Sequence, residues 1–293
     1  GNIFMNGYRA NRIEEVFNKN KIISIEQCEN LHQDVYSIPA KIFVNGMIKG
    51  FRTVKPQIQE VIDVLLNWDC RLNEDSYEAS IYQVLMYTLV RNIVEPSLGK
   101  SLTDKYMGDG EHPLLLPTSE LLGHTVPAIF RMFQNSDSKW ITSNKEIYLL
   151  IENSILNTID WLTEKLGSDR KNWVWGELHK VIFKHNMSVK EPLDKVFNLG
   201  PFNVGGDTDT VFQSAYNPSS PYDATVWCPT IRLIMDVGNW ENCKYICPPG
   251  QSGVLGSKNY SSMLNIWLSG DYIPMLWNSN DIKNNSKDKL ELI

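Results

Sequence analysis

The sequence predicts an α+β fold in which a helical N-terminal half is followed by a β-rich C-terminal half. Three observations carry this. Apolar residues recur at helical spacing up to about residue 170. Beyond that point the chain breaks into short β-branched or alternating runs separated by Gly and Pro. The two textures follow one another instead of alternating, as expected for segregated helices and strands. The predicted division is a helical region over 1–170 and a β-rich region over 171–293.

Arg12 to Asn18 and Ile25 to Gln33 read as short amphipathic helices, the second with Ser24 as N-cap. Ile38 to Phe51 continues with Ala40, Phe43, Val44 and Met47 on one side. Ile58 to Trp68 places Val61, Ile62, Leu65 and Trp68 at helical spacing. Asp75-Ser76 caps a long helix from Tyr77 to Glu95, which Pro96 is expected to stop. Two further helices fit Ser119 to Gln134 and Asn144 to Leu166, the second ended by Gly167. In the β-rich half, Val181-Ile182-Phe183 and Thr230 to Val237 read as strands. Gly205-Gly206-Asp207 is a turn, Thr208 to Tyr216 alternates in part, and Lys289 to Ile293 suits a last strand. These strands are partly apolar on both faces, so some covering layers are expected from chain outside this sequence.

The 293 residues can bury a large core, and 42% hydrophobic with 21% charged residues is ordinary globular composition. The net charge of -6, with no basic cluster, argues against nucleic acid as a partner. No apolar run reaches the roughly 18 residues needed to cross a bilayer, so no membrane partner is expected. Of five cysteines, Cys243 and Cys247 form one close pair. A zinc site needs more ligands nearby, and the pair is open between a local disulfide and two free thiols.

Several constellations invite chemical readings. Asp207 and Asp209 in Gly-Gly-Asp-Thr-Asp-Thr offer carboxylates to a hard cation, or form a polar turn bonded to its own backbone. Glu177, His179 and His185 are the makings of a metal triad, against which stands a buried, hydrogen-bonded histidine at a strand end. Pro248 to Gly253 lacks the Gly-Lys-Ser/Thr of a phosphate loop, and Ser252 lacks a Gly-x-Ser-x-Gly setting. Spacing alone assembles no catalytic trio.

Five blocks in order nevertheless resemble the C-terminal region of the penicillin acylase (penicillin amidase) family of N-terminal-nucleophile hydrolases. They are Trp175-Gly176-Glu177-Leu178-His179; Gly205-Gly206-Asp207 through Val211; Pro229-Thr230-Ile231-Arg232 with Asp236; Pro249-Gly250-Gln251-Ser252-Gly253 with Ser257 and Tyr260; and Trp267, Gly270 and Tyr272-Ile273-Pro274. In the helical half, Tyr8 to Glu14, His32-Gln33-Asp34-Val35-Tyr36-Ser37 and Asn67-Trp68-Asp69 are similar to family segments.

The resemblance implies part of an αββα sandwich and hydrolysis of a linear amide between an acyl group and an amine. Acylated β-lactams and acyl-homoserine lactones are candidate substrates. It further implies a Ser nucleophile whose own α-amine is the base, and an oxyanion-holding Asn. Both lie in the family upstream of the segment that Arg12 begins. Gly1 has no nucleophilic side chain, and neither Asn2 nor Asn6 has the spacing of the oxyanion Asn. The expectation is therefore a fragment, inactive alone, that partners the missing N-terminal part of the same enzyme. The family's calcium site is expected upstream too, leaving no cofactor or metal in this chain. Arg12 matches an arginine near the family's active site and is the one residue carried over, as an auxiliary catalytic group. A non-catalytic partner subunit derived from the acylase fold is the alternative. Exposed strand edges would also allow the fragment to homodimerise. An extracytoplasmic location rests on the resemblance alone.

Overall fold

The computed structural model describes residues 4–20, 22–110, 121, 123–134, 139–141, 143–217 and 227–291. Helix starts follow from capping. Ser24 accepts from the Gln27 backbone while the Gln27 side chain returns to the Ser24 N–H, a reciprocal pair that satisfies two otherwise orphaned donors at the head of α2 (Ile25–His32). Ser37 caps α3 (Ile38–Phe43), Ser76 caps α5 (Tyr77–Tyr106) and Ser143 caps α7 (Asn144–Leu166), each side chain accepting from one backbone N–H of the first turn. Helix α1 is Tyr8–Asn18, α4 is Pro56–Leu66 and α6 is Thr125–Gln134. Between α3 and α4 the chain widens into one π turn over Val44–Ile48.

One helix boundary departs from expectation. Helix α5 runs through Pro96 and is broken instead at Gly99, whose φ of 71° no other residue type adopts cheaply. The proline forfeits one backbone hydrogen bond, a cost that the buried Val90, Ile93 and Val94 just before it outweigh. Arg91, paired with Glu95 and with Asp104, clips the segments on either side of Gly99 together.

The chain divides into two compact units that do not follow chain order. The first comprises 1–19, 34–182 and 200–228. Its core is α5 against α7, where Thr88 Oγ1 bonds Ser154 O and Thr158 Oγ1, both at 3.1 Å, so the contact is polar as well as apolar. Helix α4 buries the stripe Ile58, Val61, Ile62 and Leu65, each contributing on the order of 1.5–3 kcal/mol. Trp68, Tyr82 and Phe43 pack ring to ring beside it. Strands β1 (Lys180–Phe183) and β2 (Leu199–Asn203) pair as a two-stranded sheet.

The second unit comprises 20–33, 183–199 and 229–293. Its sheet is β3 (Arg232–Ile234), β4 (Lys244–Ile246) and β5 (Ile273–Pro274), antiparallel in that order. Arg232 is buried on one face, its Nη2 donating to Trp267 O at 2.9 Å, and its guanidinium lies over the Trp267 and Tyr272 rings. Trp267 Nε1 donates to Pro229 O at 2.8 Å. Tyr272 meets His32 Nδ1 at 2.7 Å. The Pro-Gly-Gln-Ser-Gly block is a connecting loop: Pro249 O accepts from Met263 N, and Ser252 N donates to Asn259 O. On the opposite face of β3 and its flanks, Ile231, Leu233, Met235 and Val237 are exposed.

Three expected strands are shorter or absent. Only Arg232–Ile234 of Thr230 to Val237 enters a ladder. Thr208 to Tyr216 is a loop held by single bridges, Asp207 to Gln213 and Ala215 to Trp227, because its Asp and Thr side chains take the backbone groups a ladder would need. Lys289–Glu291 is irregular, while 292–293 lie outside the described residues, as do 119–120 and 122 of the expected Ser119–Gln134 helix. All five thiols are free, so Cys243 and Cys247 are not bridged. No helix among the described residues is long and apolar enough to cross a membrane.

Gly206 shows how tightly the first unit is built. Its φ is +77°, and a Cβ there would collide with Phe212 O and lie 2.8 Å from Thr210 Oγ1. Gly206→Ala is expected to cost about 2 kcal/mol or more. Gly46→Ala, where a Cβ meets nothing within 4 Å, should stay within about 0.5 kcal/mol of the parent. Urea midpoints at unchanged m-value provide the comparison.

Candidate functional site

The Gln-Asp-x-x-Ser block folds into the turn before α3, and its Asp34 is the meeting point of three chain segments in the first unit. From α1, Arg12 Nε donates to Asp34 Oδ2 at 2.6 Å. From the segment after α4, Arg71 Nη2 donates to Oδ1 at 2.9 Å. From the loop after β2, Phe212 N donates to the Asp34 carbonyl at 3.0 Å. The turn closes on itself through Tyr36 N, which donates to Oδ1 at 3.0 Å.

Backbone pairing delivers Arg71. Ser37 N bonds Cys70 O, Leu72 N bonds Val35 O, and Tyr36 pairs antiparallel with Arg71. The glycine pair continues the stitching, since Gly206 N donates to Leu72 O at 2.8 Å. Asp34 is 4% exposed, so its charge is compensated by charge-assisted bonds instead of water.

Arg12 is fixed at three points. Besides Asp34, its Nη1 donates to Glu15 at 3.2 Å one turn along α1, and its guanidinium lies 4.4 Å from the centre of the Tyr36 ring. Burial alone would lower its pKa, but the Asp34 and Glu15 bonds outweigh that and raise it. The side chain keeps 15% of its surface open. None of the hydrogen bonds among the described residues engages Nη2. A cation held in this way is a preorganised donor, able to meet negative charge without first being oriented.

The Gly-Gly-Asp-Thr-Asp-Thr loop builds a second polar cluster in the same unit. Asp207 Oδ1 accepts from Asp209 N and Thr210 N, and Oδ2 accepts from Gln83 Nε2 at 2.7 Å. Tyr216 in turn donates to Gln83. Asp209 receives Asn6 Nδ2 at 2.6 Å. This is the self-bonded polar turn: Asp207 takes two donors from its own loop and one from Gln83.

Burial raises the pKa of both carboxyls, and three donors oppose this at Asp207. Asp209 is pushed up to about 8, by burial first and by the Asp207 charge second. Of the two, Asp209 accepts only the Asn6 donor and is the one more strongly disfavoured as an anion. A cavity of about 60 Å³ beside them is lined by Tyr82, Met86, Val90 and Met107. It has room for a few waters.

Each member of the expected metal triad has a partner of its own. His179 is buried, stacked on Trp175 at 4.5 Å, and bonded through Nε2 to Ser214. Glu177 pairs with Lys180 at the surface, and His185 Nε2 meets Gly253 O. Among the described residues no three His, Cys, Asp or Glu side chains are grouped to hold a metal ion. Trp175 Nε1 donates to Gly206 O, so the Trp-Gly-x-x-His and Gly-Gly-Asp blocks brace one another. Asn6, with Nδ2 bonded to Gly123 O and Asp209, is occupied structurally. Sequence reasoning located Arg12 and the Asp34 block separately, whereas Arg71, Gln83 and Asn6 gave no signal because their partners are 37, 124 and 203 residues away.

An α+β chain in this arrangement matches the fold of the N-terminal-nucleophile acylases. A thermostable penicillin G acylase from Alcaligenes faecalis superposes on 97% of the chain with a TM-score of 0.59 at 14% identity, using 52% of that protein's chain. The family model for penicillin amidase matches residues 1–284, and the chain belongs to that family. Its relatives include the acyl-homoserine lactone acylase QuiP of Pseudomonas aeruginosa, 26% identical over 81% of this chain and 29% of that protein. Penicillin acylase 2 proenzyme of Pseudomonas sp. (strain SE83) is 26% identical over 98% of this chain and 35% of that protein. The chain thus spans about a third of the length of these curated relatives.

The carboxyl pair has a pH signature. Asp209's folded pKa lies above its unfolded one, so its stabilising contribution is full below pH about 4 and is lost as pH rises through about 8. Asp209→Asn, which keeps the acceptor for Asn6, should flatten this fall. Asp207→Asn should instead destabilise at every pH, by about 1–3 kcal/mol, since it sets an amide N–H against the Gln83 donor. Urea unfolding at pH 5, 7 and 9 distinguishes the three proteins.

Proposed function

We propose that this chain is the C-terminal portion of an amidohydrolase of the penicillin amidase type, which cleaves a linear amide between an acyl group and an amine. The observation that carries the reading is the match of the family across residues 1–284, in a chain one-third the length of its relatives. On this reading the serine nucleophile, its α-amine, the oxyanion asparagine and the family's calcium site belong to polypeptide that precedes Gly1. The chain alone is then inactive. The two substrate classes named for its relatives, acyl-homoserine lactones and penicillins, define the first compounds to assay. The apolar outer face of β3, with Ile231, Leu233, Met235 and Val237 exposed, supports a covering layer from that remaining polypeptide.

Within the chain, Arg12 is proposed as the auxiliary group of the site. Its guanidinium is oriented by Asp34, Glu15 and Tyr36 and keeps a free edge, as a donor to negative charge developing on the substrate requires.

Two measurements test this. The full-length protein should mature to a chain beginning with a nucleophilic residue, visible by intact mass, and should hydrolyse N-acyl substrates while residues 1–293 alone do not. Arg12→Ala in the full-length enzyme should lower kcat/KM about 100-fold or more with maturation intact. An unchanged kcat/KM would remove Arg12 from the site, and a full-length protein that cleaves no amide would remove the reading altogether.

A further inference from the structure

The Asp34 carboxylate accounts for a block that the proposed chemistry leaves unused. We infer that Asp34 is a positioning residue for amide hydrolysis, acting through Arg12, an inference that rests on the function proposed above. Asp34 is buried at 4% exposure. Its Oδ2 takes Arg12 Nε at 2.6 Å, which fixes the plane of the guanidinium. Its Oδ1 is tied by Arg71 Nη2 and by Tyr36 N, so the carboxylate cannot rotate to follow a moving arginine. The Tyr36 ring, two residues on, lies against the guanidinium and blocks its swing on that side. The turn that sets all of this is itself held by Phe212 N and by the Ser37–Cys70 and Val35–Leu72 backbone bonds.

With Nε on Asp34 and Nη1 on Glu15, the edge carrying Nη2 is the part of Arg12 left to act. Its aim is set by the buried end. A displacement of about 1 Å in a positioning group costs on the order of 100-fold in rate. Arg71 shares the same carboxylate but is more exposed, at 37%. Its loss should leave the Asp34–Arg12 bond in place. This distinguishes positioning from general stabilisation: both arginines support the turn, and one of them aims at chemistry.

The test is a mutant cycle in the full-length enzyme, measuring kcat/KM and thermal midpoint together. Asp34→Asn should lower kcat/KM about 10- to 100-fold, mainly in kcat. In an Arg12→Ala background the same change should have almost no further effect on kcat/KM, because there is no guanidinium left to aim. Arg71→Ala should lower the thermal midpoint with kcat/KM within about threefold of the parent. Should Asp34→Asn fail to fold, Asp34→Glu keeps the charge and displaces the guanidinium by roughly one methylene, and the same non-additivity with Arg12→Ala is expected. If losses from Asp34 and Arg12 multiply independently, or if Arg71→Ala reduces kcat/KM as much as Asp34→Asn, the role is structural and the inference is overturned while the proposed function stands. An Arg12→Ala enzyme with parental kcat/KM overturns the inference together with the role of Arg12, and a full-length parent without amidase activity overturns both inference and function.

Discussion

A single buried carboxylate shared between two arginines organises the first unit. Asp34 lies at a point where an N-terminal helix, the turn before α3, the segment after α4 and the loop after β2 converge. A carboxylate this buried is tolerated only when its charge is matched. Removing one partner of such a pair typically costs about 3–5 kcal/mol, although replacing the whole pair with apolar groups often costs nothing. That asymmetry means stability alone would not select the arrangement. The retained ion pair is better understood through geometry, because it fixes the direction of one guanidinium that still has an open edge.

The same unit contains the opposite solution to burying acids. Asp207 is matched by neutral donors: two backbone N–H groups and the Gln83 amide. Its neighbour Asp209 is pushed towards the neutral form by burial and by the Asp207 charge. One cluster is matched by cations, the other by neutral hydrogen-bond donors. The first leaves an outward-facing donor and the second leaves none, which is why Arg12 and not the Gly-Gly-Asp loop carries the functional reading.

The expectations that failed did so for identifiable physical reasons. Pro96 was expected to end a helix, yet α5 continues to Gly99 because apolar burial around Val90, Ile93 and Val94 exceeds the loss of one hydrogen bond. The alternation of Thr208 to Tyr216 suggested a strand, but its hydroxyls and carboxylates bond their own loop. Thr230 to Val237 does alternate, with an inverted sense. Arg232 and Ile234 face inward while Ile231, Leu233, Met235 and Val237 face out. A period of two specifies a strand without saying which side is covered.

What the sequence by itself determined is what local spacing and short motifs encode. These are the capped helices up to Gly167, the strand at Val181-Ile182-Phe183, the shift to short strands and loops, and the family, through blocks that keep their order. What only the tertiary structure decided is which distant residues meet. Asp34 and Arg12 are close in sequence, yet nothing in their spacing shows that Arg71 takes the other oxygen, that Tyr36 underlies the guanidinium, or that Asn6 reaches Asp209 across 203 residues. The reason is that hydrogen bonds and ion pairs depend on angstrom-scale approach in space. Sequence periodicity records which face of a segment is buried, and leaves unstated what that face is buried against.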